Sequence, residues 1–416
     1  MKKVLLVSLG SYGDLYPFVE TAKELKKRKT DSVIVASEGF REAVEGEGVE
    51  FCGLKIDIAD VLNNTMNDIM GDESKKPAKL AVYLSKLITT MFEELFEKTY
   101  LASKGVSAVV ASPLSVGSTD VAERTGAKNF LLEFQPLSPT GAHQPPITGK
   151  LPLNAGFSNK LIYWAMHKAF FEITKREINK KRRSILNLSS IDDFTYVHYQ
   201  KRMKTQFLFA YSREILPKPY DWDDNYHVIG FISRKDQESD LSSQLRDFIG
   251  SDKVIYIGFG SMTGMDREKF EKEIKKIADS SRRRIILHKG WSDMEIKRDN
   301  VLNVGFVDHN ALFKHVDAAV THNGCGTMAS LLRNRVKSVG VPFALDQYFW
   351  ADLLYRRGLA GRPVPAHSFS ADKIIQQLNF IEKDKKMEER LKAIGEKVSA
   401  EDGACECARI VERAIR

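Results

Sequence analysis

A chain of 416 residues with 43% apolar side chains is too long for one ordinary hydrophobic core and too apolar for disorder, so two packed domains are expected. No uncharged run of about 18 apolar residues occurs, and Met1-Lys2-Lys3 leads straight into a strand-like segment without a signal-peptide core, so a cytoplasmic location is expected. The net charge of +8 gathers in basic runs at 26–29, 175–183 and 282–284, which suit solvated helix faces or an anionic membrane surface; with no nucleic-acid module beside them, nucleic acid is not an expected partner.

In chain order, residues 4–9 read as a strand, 10–13 as a tight turn, and a helix is expected from near Pro17, where a missing N–H does no harm in the first turn. Phe18, Ala22 and Leu25 share one face of it. Further strands at 32–36, 49–54, 108–111 and 129–133 predict an open parallel sheet. Residues 80–96 and 159–187 read as amphipathic helices, the second aromatic in its first half (Tyr163, Trp164, Phe170, Phe171) and basic in its second. Periodicity stops around 216–222, and a polar stretch at 233–242 marks a junction. The pattern then restarts with a strand at 254–259, a turn at 260–262, a helix at 266–280 with Phe270, Ile274 and Ile277 inward, and a strand at 285–288. The expected fold class is α/β, with two facing Rossmann-like domains at 1–218 and 219–398 and a C-terminal helix at 399–416 packing back toward the first; the cleft between them is the default ligand site. Cys52, Cys325, Cys405 and Cys407 show no disulfide or zinc spacing and are expected as free thiols.

Two segments carry the chemistry. In Thr321-His322-Asn-Gly324-Cys-Gly326-Thr327 a strand runs through a small-residue turn into a helix, where glycines admit a ligand to the backbone and free N–H groups suit a diphosphate. Further on, Asp346-Gln347 follows a strand and puts an acid beside an amide, a pair able to hold neighbouring sugar hydroxyls. In the first half, Asp14 sits in the turn after the first strand, where an open sheet presents functional groups.

These segments, with Gly10-Ser-Tyr-Gly13-Asp14, Gly258-Phe-Gly-Ser261-Met262, Gly290-Trp291 and Val307-Asp-His309, resemble the family 1 glycosyltransferases of GT-B fold, in the branch that glycosylates sterols, macrolides and glycolipids. The resemblance runs along nearly the whole chain. It implies Asp14 as the general base that takes the acceptor's proton, Ser261, His322, Gly324, Gly326 and Thr327 around the diphosphate, and Asp346 and Gln347 on the donor sugar. It also implies Phe306 on the nucleobase, Val307 at its edge and His309 near the ribose. The chain departs from the branch at Thr321, where a second histidine is usual, and at Asn323 and Cys325, where a glycine and an alanine are usual. Ser330 stands where the plant branch has an acidic ribose contact. His315 and Trp291 read as surface and packing residues.

The reaction so implied is an inverting transfer of a hexose, from UDP-glucose foremost, to a hydroxyl of a lipophilic acceptor such as a sterol, glycolipid or polyketide, with peripheral contact to an anionic membrane. No metal or other cofactor is expected, because the acid pairs Asp57 with Asp60, Asp192 with Asp193 and Asp221 with Asp223 lack a ligand cluster. A TDP-deoxysugar transferase and a non-catalytic nucleotide-sugar-binding protein are the alternatives. A nicotinamide oxidoreductase is disfavoured, since Gly10-Ser-Tyr-Gly13 lacks the three-glycine fingerprint.

Overall fold

A computed structural model describes residues 2–55, 91–146, 156–234, 241–260, 262, 266–281, 283–290 and 293–416. The chain forms two compact units, one of 1–145, 152–233 and 402–416, the other of 146–151 and 234–401.

The first unit is built on a seven-stranded parallel sheet in the order β3-β2-β1-β4-β5-β6-β7. Its strands are β1 (Lys3–Val7), β2 (Asp31–Ser37), β3 (Glu50–Leu54), β4 (Ala108–Ala111), β5 (Lys128–Glu133), β6 (Gln206–Phe209) and β7 (Tyr226–Val228). Most read as unbroken apolar runs, as strands covered on both faces must. Because β7 pairs with β6 and completes this sheet, the expected boundary at 218 is corrected: the chain leaves the first unit after Ser233 and re-enters it at Asp402, not at 399.

Helix α1 spans Tyr12–Lys27, five residues earlier than expected. Ser11 is its N-cap, so the glycine turn is the helix start, and Pro17 lies inside the helix rather than in its first turn. Helix α2 (Ser118–Thr125) and the long α3 (Gly156–Ser184) share a second apolar cluster with Phe92, Phe96, Leu186 and Tyr199. Of the helix expected at 80–96, residues 80–90 lie outside the described residues; 91–102 are helical, with Phe92, Leu95 and Phe96 buried.

The two halves of α3 both depart from their sequence reading. Tyr163 and Phe171 are core residues, whereas Phe157, Leu161 and Trp164, at helical spacing, are 83%, 52% and 42% exposed. In the basic half, Arg182 is fully buried: its guanidinium pairs with Asp120 and donates to Glu123 (2.8 Å), Tyr199 Oη (2.9 Å) and the Ser189 carbonyl (2.7 Å). Lys181 is buried too and pairs with Glu93 at 2.8 Å, while Arg176, Lys180 and Arg183 of that stretch are exposed and Lys175 is half-buried.

The second unit has a five-stranded parallel sheet ordered β10-β9-β8-β11-β12, from β8 (Val254–Gly258), β9 (Arg284–His288), β10 (Val301–Val304), β11 (Ala318–Thr321) and β12 (Lys337–Gly340). Helix α4 (Arg267–Ser280) is capped by Asp266, which accepts from the Lys269 N–H, and buries Phe270, Ile274 and Ile277. Helices α5 (Cys325–Arg333) and α6 (Asp346–Arg356) follow β11 and β12. The strands end in step: Val304, His288, Gly258, Thr321 and Gly340 stand in one row across the carboxyl edge. The chain then returns to the first unit, where α7 (Gly403–Ile415) buries Ala404, Cys407, Ala408 and Val411 in the cluster that holds Phe18, Ala22 and Leu25 of α1.

Candidate functional site

The candidate residues fall on both units, at the carboxyl ends of strands. After β1 the chain turns through Gly10, whose φ of +143° is open to glycine. A Cβ at Gly10 would lie 2.2 Å from Oδ2 of Asp14, so this glycine makes the space the carboxylate occupies. Asp14 lies in the first turn of α1 and accepts from the Ser11 N–H at 2.7 Å and the Ser11 hydroxyl at 3.1 Å, the return half of a capping box. Both bonds go to Oδ2, and among the described residues none goes to Oδ1. Burial pushes the Asp14 carboxyl above the usual carboxylate range, opposed by the Ser11 donors. One oxygen is thus anchored while the other stays open to a proton, the arrangement a general base requires.

In the second unit the glycines enclose a ring. A Cβ at Gly260 would lie 2.8 Å from Cε1 of His322, and one at Gly324 would lie 2.4 Å from its Nε2. Gly290, at φ +58°, packs against the same turn, its missing Cβ 2.4 Å from the Gly260 carbonyl. The loops after β8, β9 and β11 therefore converge on one imidazole. Burial depresses His322 to about 4, with the Gly258 backbone opposing and His288 assisting, so the ring is neutral at pH 7. Beside it, Asn323 adopts φ +64°, a conformation asparagine tolerates better than other non-glycine residues, which explains how the turn survives without the usual glycine. Gly324 is the N-cap of α5 and supplies no side chain, so the helix start has no side-chain cap. A helix start in that condition favours an anion.

The nucleoside candidates sit nearby in this unit. Phe306, on the loop after β10, is 73% exposed, so its ring face is open to a ligand. Val307 packs partly against the core below. His309 Nε2 lies 2.8 Å from Tyr256 Oη, and its ring stacks on Phe313; burial holds it near 3 and therefore neutral. Ser330 donates to Asn310 Oδ1 at 2.9 Å, and His315 is exposed.

The sugar pair is divided by the structure. Asp346 opens α6, and its Oδ2 accepts from Trp350 Nε1 at 3.2 Å. Gln347 is buried, its Oε1 accepting from the Phe343 N–H (2.8 Å) and the Ala344 N–H (3.3 Å), while Nε2 reaches Met262 Sδ at 3.1 Å. Its carbonyl is committed to the turn before α6, so any sugar contact falls to the amide nitrogen. Ser261 and Trp291 lie outside the described residues.

Sequence reasoning missed His288, the last residue of β9, which stands with its ring 6.2 Å from that of His309. The signal was available, since 285–288 reads as a strand and its carboxyl end faces the ligand side of the sheet. No cluster of three or more metal-ligating side chains occurs among the described residues. Asp221 instead receives Thr140 Oγ1 (2.6 Å), the Gly141 N–H (2.9 Å) and Lys160, and Asp193 pairs with Arg202. Asp57 and Asp60 lie outside the described residues.

Residues 4–143 match the Glycosyltransferase family 28 N-terminal domain. The chain is 27% identical to the sterol 3-beta-glucosyltransferase UGT80A2 of Arabidopsis thaliana, over 96% of this chain and 64% of that protein. It is 25% identical to the sterol 3-beta-glucosyltransferase of Cryptococcus neoformans, over 99% of this chain and 27% of that protein, so it spans only part of the length of these relatives. Among solved structures, the spinosyn forosaminyltransferase SpnP superposes with a TM-score of 0.70 at 14% identity, covering 100% of this chain and 99% of SpnP. The Streptomyces glycosyltransferase SsfS6, complexed with thymidine diphosphate, gives 0.61 at 14% identity, covering 99% of this chain and 100% of SsfS6. The chain therefore has the GT-B fold of the solved glycosyltransferases, and its residues 4–143 are similar to the glycosyltransferase family 28 N-terminal domain.

Proposed function

We propose that the chain transfers a hexose with inversion from a UDP-sugar, UDP-glucose foremost, to the hydroxyl of a lipophilic acceptor, with a sterol as the first candidate. The observation that carries the reading is the enclosed, neutral His322 beside the uncapped start of α5, a ready place for a departing diphosphate. Asp14 takes the acceptor proton through Oδ1 as the hydroxyl attacks the anomeric carbon. His322 and the first N–H groups of α5 stabilise the leaving diphosphate, Phe306 stacks on the base, and Asp346 with the Gln347 amide orients the sugar. No metal is required, since these donors supply the stabilisation a divalent ion would otherwise give. The sterol relatives favour the acceptor class.

A second observation favours contact with a membrane surface. Phe157, Leu161 and Trp164 form an exposed apolar stripe on α3, with Phe194 stacked on Trp164 at 5.1 Å and the solvated Arg176, Lys180 and Arg183 further along the helix. No helix among the described residues is long and apolar enough to cross a membrane, and a stripe of this kind suits peripheral binding to anionic lipid. The test of the main reading is radiolabelled transfer from UDP-glucose to a panel of sterols, glycolipids and polyketides, with TDP-glucose in parallel. Glycosylated sterol with a UDP preference is the expected product. Transfer from TDP-sugars alone would move the chain to the deoxysugar class, and nucleotide-sugar binding with neither transfer nor hydrolysis would make it a binding protein.

A further inference from the structure

Three imidazoles meet at the carboxyl edge of the second sheet, and the motifs account for two of them. The third, His288, closes β9 in register with Gly258 of β8, whose other neighbour in the row is Thr321. Gly258 leaves its place to the Tyr256 phenol, because a Cβ there would lie 2.3 Å from Tyr256 Oη. That phenol holds His309, while His322 meets the Gly258 backbone from the next loop. His288 stands among these groups, its ring 6.5 Å from that of Tyr256 and 6.2 Å from that of His309. Its Nδ1 is shielded from solvent and has no hydrogen-bond partner among the described residues.

The electrostatics of the cluster are one-sided. Burial depresses all three imidazoles, and the charges that act on them are one another's: His288 on His309 and His322, and His322 on His309. The groups that face His288 are the neutral Tyr256 from β8, His309 from the loop after β10 and His322 from the turn after β11. The adjacent Lys289 is paired with Glu295 at 3.7 Å. Three clustered rings kept uncharged for want of a counter-charge make a site that an entering anion transforms, since a nearby negative charge favours the protonated form.

We infer that His288 is a second imidazole ligand of the donor's diphosphate beside His322, and that the cluster takes up a proton as the diphosphate binds. The inference rests on the proposed nucleotide-sugar reading and deepens it. Diphosphate binding therefore tightens as pH falls, while binding of the uncharged nucleoside does not change. The diphosphate's own terminal protonation works in the opposite direction, so its titration cannot imitate the effect.

The experiment is calorimetric titration of the full chain with UDP and with uridine at pH 8 and pH 6. The wild-type protein should bind UDP about tenfold more tightly at pH 6, a change of the size expected for one added charge interaction, with uridine unaffected. His288→Gln keeps a donor of similar reach but holds no proton charge; it should lose most of the tightening and bind uridine as before. UDP affinity that ignores pH, or a variant that weakens uridine as much as UDP, overturns the inference. Imidazole Cε1–H resonances of the wild-type protein give the same answer without a variant: at least one of the cluster's three should move toward its protonated position when UDP is added at pH 6, and fixed resonances overturn the proposal. If wild-type protein binds UDP but His288→Gln is indistinguishable from it, only the role of His288 fails; if it binds no nucleoside diphosphate at either pH, the nucleotide-sugar reading fails with it.

Discussion

Asp14 in the first unit is held by a helix's own capping hydrogen bonds, whereas His322 in the second is held by glycines that contribute no side-chain atom. The first arrangement leaves the polar group exchangeable with any residue that keeps the bond; the second fixes one ring shape. A helix start gives a functional carboxylate a structural alibi, while a glycine cage around an imidazole has little purpose beyond that imidazole. The residues of the second unit are therefore easier to read as a site, and those of the first need experiment to separate support from chemistry.

The largest effect should come from Asp14→Asn. The amide oxygen can still accept from the Ser11 N–H, so fold and donor binding should survive while transfer falls by about 10² to 10⁴, the usual worth of a general base. Near-native transfer by the folded variant would leave Asp14 with its capping role alone and dissolve the contrast. Because Asp14 must be ionised to act and burial raises its pKa, the acid limb of the wild-type pH–rate profile should lie above the ordinary carboxylate range.

Next in size is Arg182→Met, which leaves Asp120 buried without its cation and should destabilise the protein by about 3–5 kcal/mol in urea unfolding. The loss should be confined to the first unit, so UDP binding that persists after that unit has melted would sharpen the comparison. A single transition with no loss of stability would show the Arg182 network to be dispensable.

His322→Ala should lower turnover by about 10² to 10³, the scale for one preorganised donor. Unchanged turnover with unchanged nucleotide affinity would remove the second unit's central residue from the chemistry. A smaller effect is expected at the membrane, where Lys180→Gln with Arg183→Gln should weaken vesicle sedimentation by roughly 1 kcal/mol per residue at low salt, with stability held within about 0.5 kcal/mol. Indifference of the wild-type protein to anionic vesicles would return the α3 stripe to an ordinary surface. The smallest change should follow excess chelator, with activity kept within a few fold; abolition restored by magnesium would mean that the diphosphate is held through a metal.

Most strands of both parallel sheets, though not β6 or β10, were legible from buried apolar runs, because strands covered on two faces need no alternation to be recognised. Three things were not. The start of α1 was hidden because a capping-box aspartate and a turn aspartate look alike until Ser11 is seen donating to it. The basic stretch of α3 looked uniformly solvated, yet its helical period turns Arg182 inward onto Asp120 while Lys180 and Arg183 point out, and the partner lies on an element about sixty residues away. The end of the first unit was misplaced because β7 is three residues long and carries too little pattern to announce itself. Within the site, Gln347 was legible as a polar residue but not as one already committed to the backbone of its own turn.

The glycines at 10, 260, 290 and 324 also bear on how this chain tolerates mutation. Each gives up a Cβ position already filled by a carboxylate, a ring or a carbonyl, and Gly10, Gly260 and Gly290 hold left-handed or otherwise glycine-only backbone as well. In a scan that scores activity, alanine at these four positions should register as sharply as loss of Asp14 or His322, although no glycine here contributes a reacting group. Positions ranked by intolerance alone would then list the mould together with the casting, and the two separate only when nucleotide binding is scored beside turnover.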